Sequence, residues 1–379
     1  MKRGPSSGDI LVLARHPLVV AAAIDAARRV SGREPRLISN GLDALQALSS
    51  PGLPPRRVLL EPAAAGSSWA ALLSTLDDPS LTDAMIFVAA DGSGVPDGVA
   101  VLPAEVAHLE AALQALPRRS RRSLPTSAEA LAAGLDRGAL LVRYQPVVRI
   151  EDRRLVLVEA LARWRGSPMM HGPDSFVPAV ERAGLSRALA VAVVSQASRD
   201  IGALTESLGI GVSVNVSLDQ LLRQDLGSWI ARALKTGTLP ARHLSLELTE
   251  TTPVHDLSIV SRAIRRLATK GFQVFLDDLS IDDERSALQH LPFAGVKLDK
   301  ALVARLPDEA RARRFVQGVV HTANRCGQVV TAEGVADARL WSIVAALGVH
   351  RAQGFWVGRP LPSQVLGGWQ RSWSRWSRV

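Results

Sequence analysis

The chain has 379 residues, of which 47% are hydrophobic and 4% aromatic, and its formal net charge is +9. This length favours two domains with cores built mainly from Leu, Val and Ala. A single cysteine, Cys326, excludes an intrachain disulfide. We find no signal peptide and no apolar run of the roughly 20 residues that span a membrane. A cytoplasmic protein is expected, and the charge leaves nucleic acid, an acidic membrane surface or a phosphate-bearing ligand open as partners.

Residues 8–116 form the first predicted domain, in which short apolar runs alternate with helical patterns. Five runs are predicted strands: Ile10–Ala14, Arg36–Ser39, Arg57–Leu60, Met85–Ala89 and Val99–Leu102. This alternation predicts a small doubly wound sheet. The layout resembles a response-regulator receiver domain, but Glu61 stands where the phosphoacceptor aspartate is expected and Leu102 where the lysine is expected. We interpret the domain as a pseudo-receiver used for dimerisation or for docking a protein partner.

Residues 117–125 read Pro-Arg-Arg-Ser-Arg-Arg-Ser-Leu-Pro. Two prolines bracket a basic stretch without periodicity, which indicates a linker. Contact with nucleic acid would also explain four arginines. Because no aromatic residue is interleaved with them, a solvated connector is favoured and no specific nucleic-acid binding is expected.

Residues 126–366 form the second predicted domain, where strand-like runs end in polar residues and helical patterns follow. The eight predicted strands are Val142–Val148, Leu155–Val158, Gly211–Val216, Leu244–Leu248, Val274–Asp278, Gly295–Leu298, Gln328–Ala332 and Arg351–Trp356. Eight strands with helices between them predict an α/β fold, a (β/α)₈ TIM-like barrel. The active site of such a barrel lies at the carboxyl ends of its strands.

Polar residues alternate with apolar ones along two of these strands. Leucines alternate with Ser245 and Glu247 in one, and valines alternate with Ser213 and Asn215 in the other. Because successive side chains point to opposite faces of a strand, the apolar faces should pack against the surrounding helices. The polar faces then point toward the barrel axis, which predicts a charged, solvated pocket at the barrel mouth.

Asp277 and Asp278 end a β-rich run that begins at Gly271. Adjacent carboxylates repel each other and lose hydration when buried, so they need a compensating cation or ample water. An Asp-rich turn opening a helix is the alternative for this pair taken alone. Polar endings on the neighbouring strands favour a divalent metal instead.

Eight short motifs follow one another in the second domain. They are Gln145-Pro-Val-Val148, Glu159-Ala-Leu-Ala-Arg-Trp164, Asn215-Val-Ser217, Glu247-Leu-Thr-Glu250, Asp277-Asp278, Lys297-Leu-Asp299, Ala332-Glu-Gly-Val335 and Gln353-Gly354. This series resembles the EAL domain of cyclic di-GMP phosphodiesterases. One tripeptide would be weak evidence, whereas eight in the right order are highly specific.

The resemblance implies a homodimeric enzyme that hydrolyses cyclic di-GMP to linear pGpG at a two-metal site holding Mg²⁺ or Mn²⁺, hard cations suited to oxygen ligands. The implied metal ligands are Glu159, Asn215, Glu247, Asp277, Asp278 and Glu333. The implied catalytic residues are Lys297, Glu333 and Glu250, and the implied nucleotide contacts are Gln145, Arg163 and Gln353. Lys297 would orient the attacking water, and Arg163 would grip a phosphate as a forked donor.

The loop after the paired aspartates departs from the family pattern. Relatives have Asp-Phe-Gly-x-Gly followed by serines, whereas this chain has Asp278-Leu-Ser-Ile-Asp-Asp-Glu-Arg-Ser286, without either glycine. No Gly-Gly-Asp-Glu-Phe cyclase signature occurs, so synthesis of cyclic di-GMP is not expected. Two functions remain open: a metal-dependent phosphodiesterase, favoured by the complete ligand set, and a cyclic di-GMP receptor or docking module of low activity, favoured by the altered loop.

Residues 367–379 form a tail rich in Trp and Arg. On a helix, Trp369, Trp373 and Trp376 share one face, and arginines lie opposite. A last helix that covers the barrel or the first domain is the favoured interpretation. Contact with a membrane surface or a protein partner is the alternative.

Overall fold

The computed structural model of the chain describes residues 10–49, 57–66, 69, 72, 84–90, 101–115, 127–165, 170–249, 256–281 and 288–376. The predicted linker, Glu250 and most of the loop after Asp278 lie outside these residues. The chain forms two compact units, one around the amino-terminal sheet and one around the later strands. No helix in the described ranges is long and apolar enough to cross a membrane.

A five-stranded parallel sheet forms the centre of the first unit. Its strands are β1 Ile10–Leu13, β2 Arg36–Ile38, β3 Arg57–Leu60, β4 Ala84–Ala89 and β5 Leu102–Pro103. The helices that can be bounded within the described residues are α1 Pro17–Ser31, α2 Gly41–Ser49, α3 Pro62–Ala65 and α4 Val106–Gln114. The strand order β2-β1-β3-β4-β5 is a common order of doubly wound sheets, so the predicted parallel sheet is confirmed. Residues 99 and 100 of the predicted fifth strand lie outside the described part of the chain. Pro103 is tolerated in β5 because β5 is an edge strand of the described sheet.

Glu61 is buried directly after β3. Its Oε2 accepts hydrogen bonds from the backbone N–H groups of Arg15 (2.6 Å) and His16 (3.0 Å), which precede α1. The carboxylate therefore ties the carboxyl end of β3 to the start of α1. This arrangement gives Glu61 a structural role, while the pseudo-receiver interpretation of the unit stays a prediction.

Eight strands close into a barrel in the second unit, as predicted. They are β6 Leu140–Arg149, β7 Leu155–Arg165, β9 Gly211–Val216, β10 Leu244–Leu248, β11 Gln273–Leu279, β12 Gly295–Leu298, β13 Val329–Ala332 and β14 Arg351–Gln353, and the short β8, Met170–His171, pairs outside the ring. The helices of this part of the chain are α5 Ala128–Asp136, α6 Pro173–Arg182, α7 Ser186–Leu208, α8 Leu218–Leu222, α9 Leu226–Leu234, α10 Leu257–Ala268, α11 Lys300–Arg305, α12 Ala310–Cys326, α13 Ala338–Ala346 and α14 Leu366–Trp376.

The first barrel strand differs from a strict alternation of strands and helices. β6 runs antiparallel to both β7 and β14, and residues 150–154 join it to β7 as a hairpin. Antiparallel strands can be joined by a tight turn, whereas parallel strands need a crossover. The same pairing extends β7 to Arg165, because Leu140 lies opposite Trp164. Glu159, expected at the end of a short strand, therefore lies in the middle of a long one.

The tail helix α14 buries two of its tryptophans. Trp369 and Trp373 are 2% and 1% exposed, and their rings stack with centroids 5.8 Å apart. Residues 364–373 belong to the first unit. Buried indoles cannot contact lipid, so for these two residues the structure favours the covering helix over membrane contact.

His350 provides a pH-dependent contribution to the stability of the barrel. Its Nδ1 accepts the backbone N–H of Val330 (2.9 Å), and its Nε2 lies 3.0 Å from Asn324 Oδ1. Burial, and then the charge of Arg351, lower the pKa of the imidazole. Because the folded state binds the proton less readily than the unfolded state, this contribution is complete above about pH 6.5 and is lost as the pH falls through the lowered value.

We therefore expect His350→Gln to reduce the loss of unfolding free energy between pH 7 and pH 5, as measured by urea denaturation. His321→Gln, which replaces an exposed histidine of α12, is the matched control. Parallel stability curves for the wild type and His350→Gln across this range would contradict the assignment.

Candidate active site

Lys297 lies at the centre of a carboxylate cluster inside the barrel. Its Nζ is 2.7 Å from Glu247 Oε2, 3.2 Å from Asp277 Oδ1, 3.4 Å from Glu159 Oε2 and 2.5 Å from Glu333 Oε1. The five residues come from β12, β10, β11, β7 and the end of β13. One ammonium group thus contacts four carboxylates, and all four are among the predicted ligands.

The strands supply these side chains because parallel pairing aligns their carboxyl ends. Asn215 of β9 lies in register with Glu247 of β10, and its Nδ2 donates to Glu159 Oε1 at 3.2 Å. Asn215 is exposed, whereas Glu247 is only 1% exposed. The amide therefore lies at the open edge of the cluster.

Asp278 has a left-handed backbone conformation, with φ at +53°. Its N–H donates to Asp277 Oδ1 at 2.9 Å, and carboxylate oxygens of Asp277, Asp278 and Glu333 all lie within 4.8 Å of one another. Such a conformation costs about 1–3 kcal/mol in a non-glycine residue and is typical of functional sites. The surrounding fold holds the second aspartate where its carboxylate joins the first and Glu333.

The charges of Lys297 and Glu159 are stabilised within the cluster. Burial lowers the pKa of Lys297, but the surrounding carboxylates outweigh it and hold the pKa well above its ordinary value. Burial raises the pKa of Glu159, but Lys297, Gln353 and Asn215 outweigh it and hold the pKa below its ordinary value. These two groups form the ionised centre of the site.

The charge of Lys297 does not fully compensate the other three carboxylates, which are those of Glu247, Asp277 and Glu333. Burial is the largest influence on each, and it raises the pKa of Glu247 and Asp277 despite the attraction of Lys297. Burial, with repulsion from Asp277, raises the pKa of Glu333 to about 8. A further cation would relieve this repulsion. Oxygen donors on buried strand ends suit Mg²⁺ or Mn²⁺, so the donor set fits the predicted divalent metals.

Two glutamines connect the cluster to the neighbouring strands. Gln353 Nε2 donates to Glu159 Oε2 and, at 3.2 Å, to Gln145 Oε1. Gln145 Nε2 donates to the carbonyl of Gly358 at 3.1 Å. The structure thus brings two of the three predicted nucleotide contacts, Gln145 and Gln353, beside Glu159, and Gln353 also holds that carboxylate in place.

Arg163 lies on β7 on the same face as Glu159, since the two are four residues apart along a strand. It is buried, and its Nη1 donates to the carbonyl of Ala162 at 3.0 Å. Arg143 of β6, opposite Leu161 and also buried, was missed because it lies outside the motifs. Two guanidinium groups therefore lie near the rim of the barrel.

A cavity of about 250 Å³ adjoins the cluster between β7, β9 and the helices α6 and α7. Most of its lining is apolar, and Asn215 belongs both to the cavity and to the cluster. Its lining includes Leu161, Pro173, Val177, Leu189, Asn215 and Thr249. Sequence reasoning missed it because α6 and α7 carry no motif. Pockets for whole drug-sized ligands measure about 300–1,000 Å³, so this cavity suits a single ring system.

The sequence profile of the EAL domain family matches residues 128–360. Over 243 residues the chain is 28% identical to a cyclic di-GMP phosphodiesterase of Pseudomonas aeruginosa, covering 63% of this chain and 41% of the relative. It is 32% identical over 253 residues to an uncharacterised signalling protein of Caulobacter vibrioides, covering 66% of this chain and 31% of the relative. The chain thus spans less than half the length of these curated relatives.

The barrel is also similar to solved structures. The PaMucR phosphodiesterase in complex with c-di-GMP matches with a TM-score of 0.58 and 27% identity, over 63% of this chain and 98% of that one. The EAL domain protein from Listeria monocytogenes matches with a TM-score of 0.56 and 20% identity, over 68% of this chain and all of that one. The second match shows the fold alone. The matched family profile covers residues 128–360 and therefore does not test the first unit. The resemblance of that unit to a receiver domain stays a prediction.

Proposed function

The chain belongs to the EAL domain family, and from that premise we propose that it hydrolyses cyclic di-GMP to linear pGpG in a reaction that depends on divalent cations. The observation that carries this proposal is the contact of one buried ammonium, Lys297, with four carboxylates inside the barrel. A cluster with this excess of negative charge suits cations that bind a phosphodiester.

The carboxylates divide into two overlapping ligand sets. We assign Glu159, Asn215, Glu247 and Asp277 to one metal and Asp277, Asp278 and Glu333 to the other. The latter set has oxygens within 4.8 Å of one another. Bound Mg²⁺ or Mn²⁺ would neutralise charge on the phosphate and make a water molecule more acidic. Glu250 is proposed to anchor the loop after Asp278, as its motif implies.

The remaining residues act on the substrate. Lys297 orients the attacking water and balances charge on the phosphate, since its ammonium remains protonated at neutral pH. Arg163 grips a phosphate oxygen with its forked donors. Gln145 and Gln353 contact the nucleotide, and the apolar cavity beside Asn215 takes one base. Excluding water around the phosphate strengthens each of these interactions.

Hydrolysis of cyclic di-GMP by the full chain tests the proposal. With Mn²⁺ or Mg²⁺ present, pGpG should accumulate in a chromatographic assay, and chelation of the metal should stop it. In parallel, the binding of cyclic di-GMP should be measured by titration in the presence of Ca²⁺. If cyclic di-GMP binds but no pGpG forms, the receptor alternative holds; if it neither binds nor is hydrolysed, both functions are wrong.

The loop after Asp278 is expected to limit the rate. Without its two glycines it cannot readily make the positive-φ turn of its relatives, so the second metal should be loosely held. We expect slow turnover in the native chain and a gain of about 10- to 100-fold when the loop is rebuilt as Asp-Phe-Gly-Thr-Gly with the family's serines. The measurement is the steady-state rate of pGpG formation by the native chain and by the rebuilt variant, both at saturating Mn²⁺. Equal rates would show that the loop does not limit catalysis.

A further inference from the structure

Two arginines face each other at the amino-terminal end of the barrel, away from the carboxylate cluster. Arg351, the first residue of β14, is the direct partner of Arg149, the last residue of β6. These strands are antiparallel, so the two side chains are cross-strand neighbours. Like charges directly opposite each other destabilise a sheet unless something compensates them.

Among the residues that the structure describes, only Arg149 of the two arginines has a carboxylate partner. Arg149 donates from Nε to Asp152 Oδ1 at 2.8 Å and from Nη2 to Asp152 Oδ2. The hydrogen bonds from Arg149 hold the pKa of Asp152 at about 2. This fork-to-fork pair engages both carboxylate oxygens, so the charge of Asp152 compensates Arg149 and not Arg351.

The side chain of Arg351 makes no hydrogen bond or ion pair with any residue that the structure describes, although its backbone is paired with both neighbouring strands. Its guanidinium carbon lies over the ring of Phe275, 6.0 Å from the ring centroid. Burial, and then the charge of Arg149, lower the pKa of Arg351. A half-buried guanidinium that has a cation opposite it, and no anionic partner in the described part of the chain, is electrostatically unfavourable.

The surrounding chain adds positive charge. The hairpin from 149 to 154 contains three arginines and two carboxylates, and Arg351 adds a fourth cation. The side chain of Arg149 is 43% exposed, so an anion from solvent can reach the pair. Guanidinium forks match the oxygens of a phosphate group in geometry and charge.

We propose that Arg351, with Arg149 beside it, binds a phosphate group at the amino-terminal end of the barrel, at a site separate from the carboxylate cluster. The ligand is inorganic phosphate or the terminal phosphate of a mononucleotide, which share this chemistry. Binding of the anion compensates the second arginine and so stabilises the fold.

The test is thermal melting of the full chain during titration with inorganic phosphate, at constant ionic strength and with EDTA present. We expect a saturable rise of roughly 2–4 °C in the wild type and none in Arg351→Gln. Arg262→Gln removes the same charge from an exposed position on α10 and should keep the rise. Arg163→Gln should keep it too, because that arginine lies at the opposite end of the barrel.

The proposal is wrong if the rise persists in Arg351→Gln, or if Arg163→Gln or Arg262→Gln abolishes it. Without phosphate, Arg351→Gln should melt at or above the wild-type temperature, because it removes like-charge repulsion. A clearly lower melting temperature would instead assign Arg351 a structural role. Arg351→Lys keeps the charge but loses the fork, so phosphate should bind about tenfold more weakly.

Titration with GMP separates the two sources of the phosphate group. Binding by GMP that depends on Arg351 and is tighter than that of inorganic phosphate identifies a nucleotide as the ligand. Binding that is equal or weaker identifies the free anion. None of these outcomes requires hydrolysis of cyclic di-GMP, so the site can be tested whether or not the proposed function holds.

Discussion

Hydrolysis of cyclic di-GMP is expected to fall at least about a thousandfold when Asp277 is replaced by Asn. The Oδ1 of Asp277 lies 3.2 Å from Lys297 Nζ and accepts the N–H of Asp278 at 2.9 Å. Asn keeps the shape and one oxygen but removes the charge. Since Asp277 belongs to both proposed ligand sets, the change weakens both metals.

The measurement is the steady-state rate of pGpG formation with saturating Mn²⁺. Asp337→Asn is the matched control, because Asp337 caps α13 by accepting the N–H of Leu340 at 2.8 Å and Asn retains that ability. The control should keep the wild-type rate. A rate for Asp277→Asn above a tenth of the wild type would remove Asp277 from the catalytic site.

Replacing Lys297 by Met is expected to destabilise the metal-free protein by about 3–5 kcal/mol, because it leaves buried charges without their partner. Four carboxylates share this one ammonium. Turnover should also be lost, since the ammonium acts on the water and on the phosphate in the transition state. Binding of cyclic di-GMP in Ca²⁺ should survive.

The loss of stability is measured by urea denaturation of both proteins, first in the presence of EDTA and then in the presence of Mn²⁺. Mn²⁺ should stabilise Lys297→Met more than it stabilises the wild type, because the metal then supplies positive charge that the ammonium no longer supplies. Lys235→Met changes an exposed lysine at the end of α9 and should have little effect. Equal stabilities of Lys297→Met and the wild type without metal would contradict the central role of Lys297.

The barrel and a polar pocket at its mouth could be predicted from local patterns, whereas most of the proposed site residues follow from the resemblance of the ordered motifs to a known family. Alternation in Leu244–Leu248 identified Glu247 as facing the axis, and the strand is found with those bounds. The structure brings the ordered motifs together because parallel strands align their carboxyl ends. Glu250 and most of the loop after Asp278 lie outside the described residues, so their roles remain predictions.

Other features depend on contacts between distant parts of the chain. The antiparallel direction of β6 follows from a hairpin whose turn carries no distinctive signal in the sequence. The cavity beside Asn215 is lined by α6 and α7, which pack against β7 and β9 and carry no motif. Arg149 and Arg351 are 202 positions apart in the sequence. Only closure of the barrel places them opposite each other.

The sequence by itself determined the barrel and the acidic residues at its mouth, because side-chain periodicity and residue chemistry are local properties. It placed Lys297 in the site but gave no indication that one ammonium contacts four carboxylates from four different strands. Only the tertiary structure decided that, and with it which groups are stabilised as ions. The reason is physical: burial and charge–charge distances set these energies, and both exist only once the strands have closed around the site.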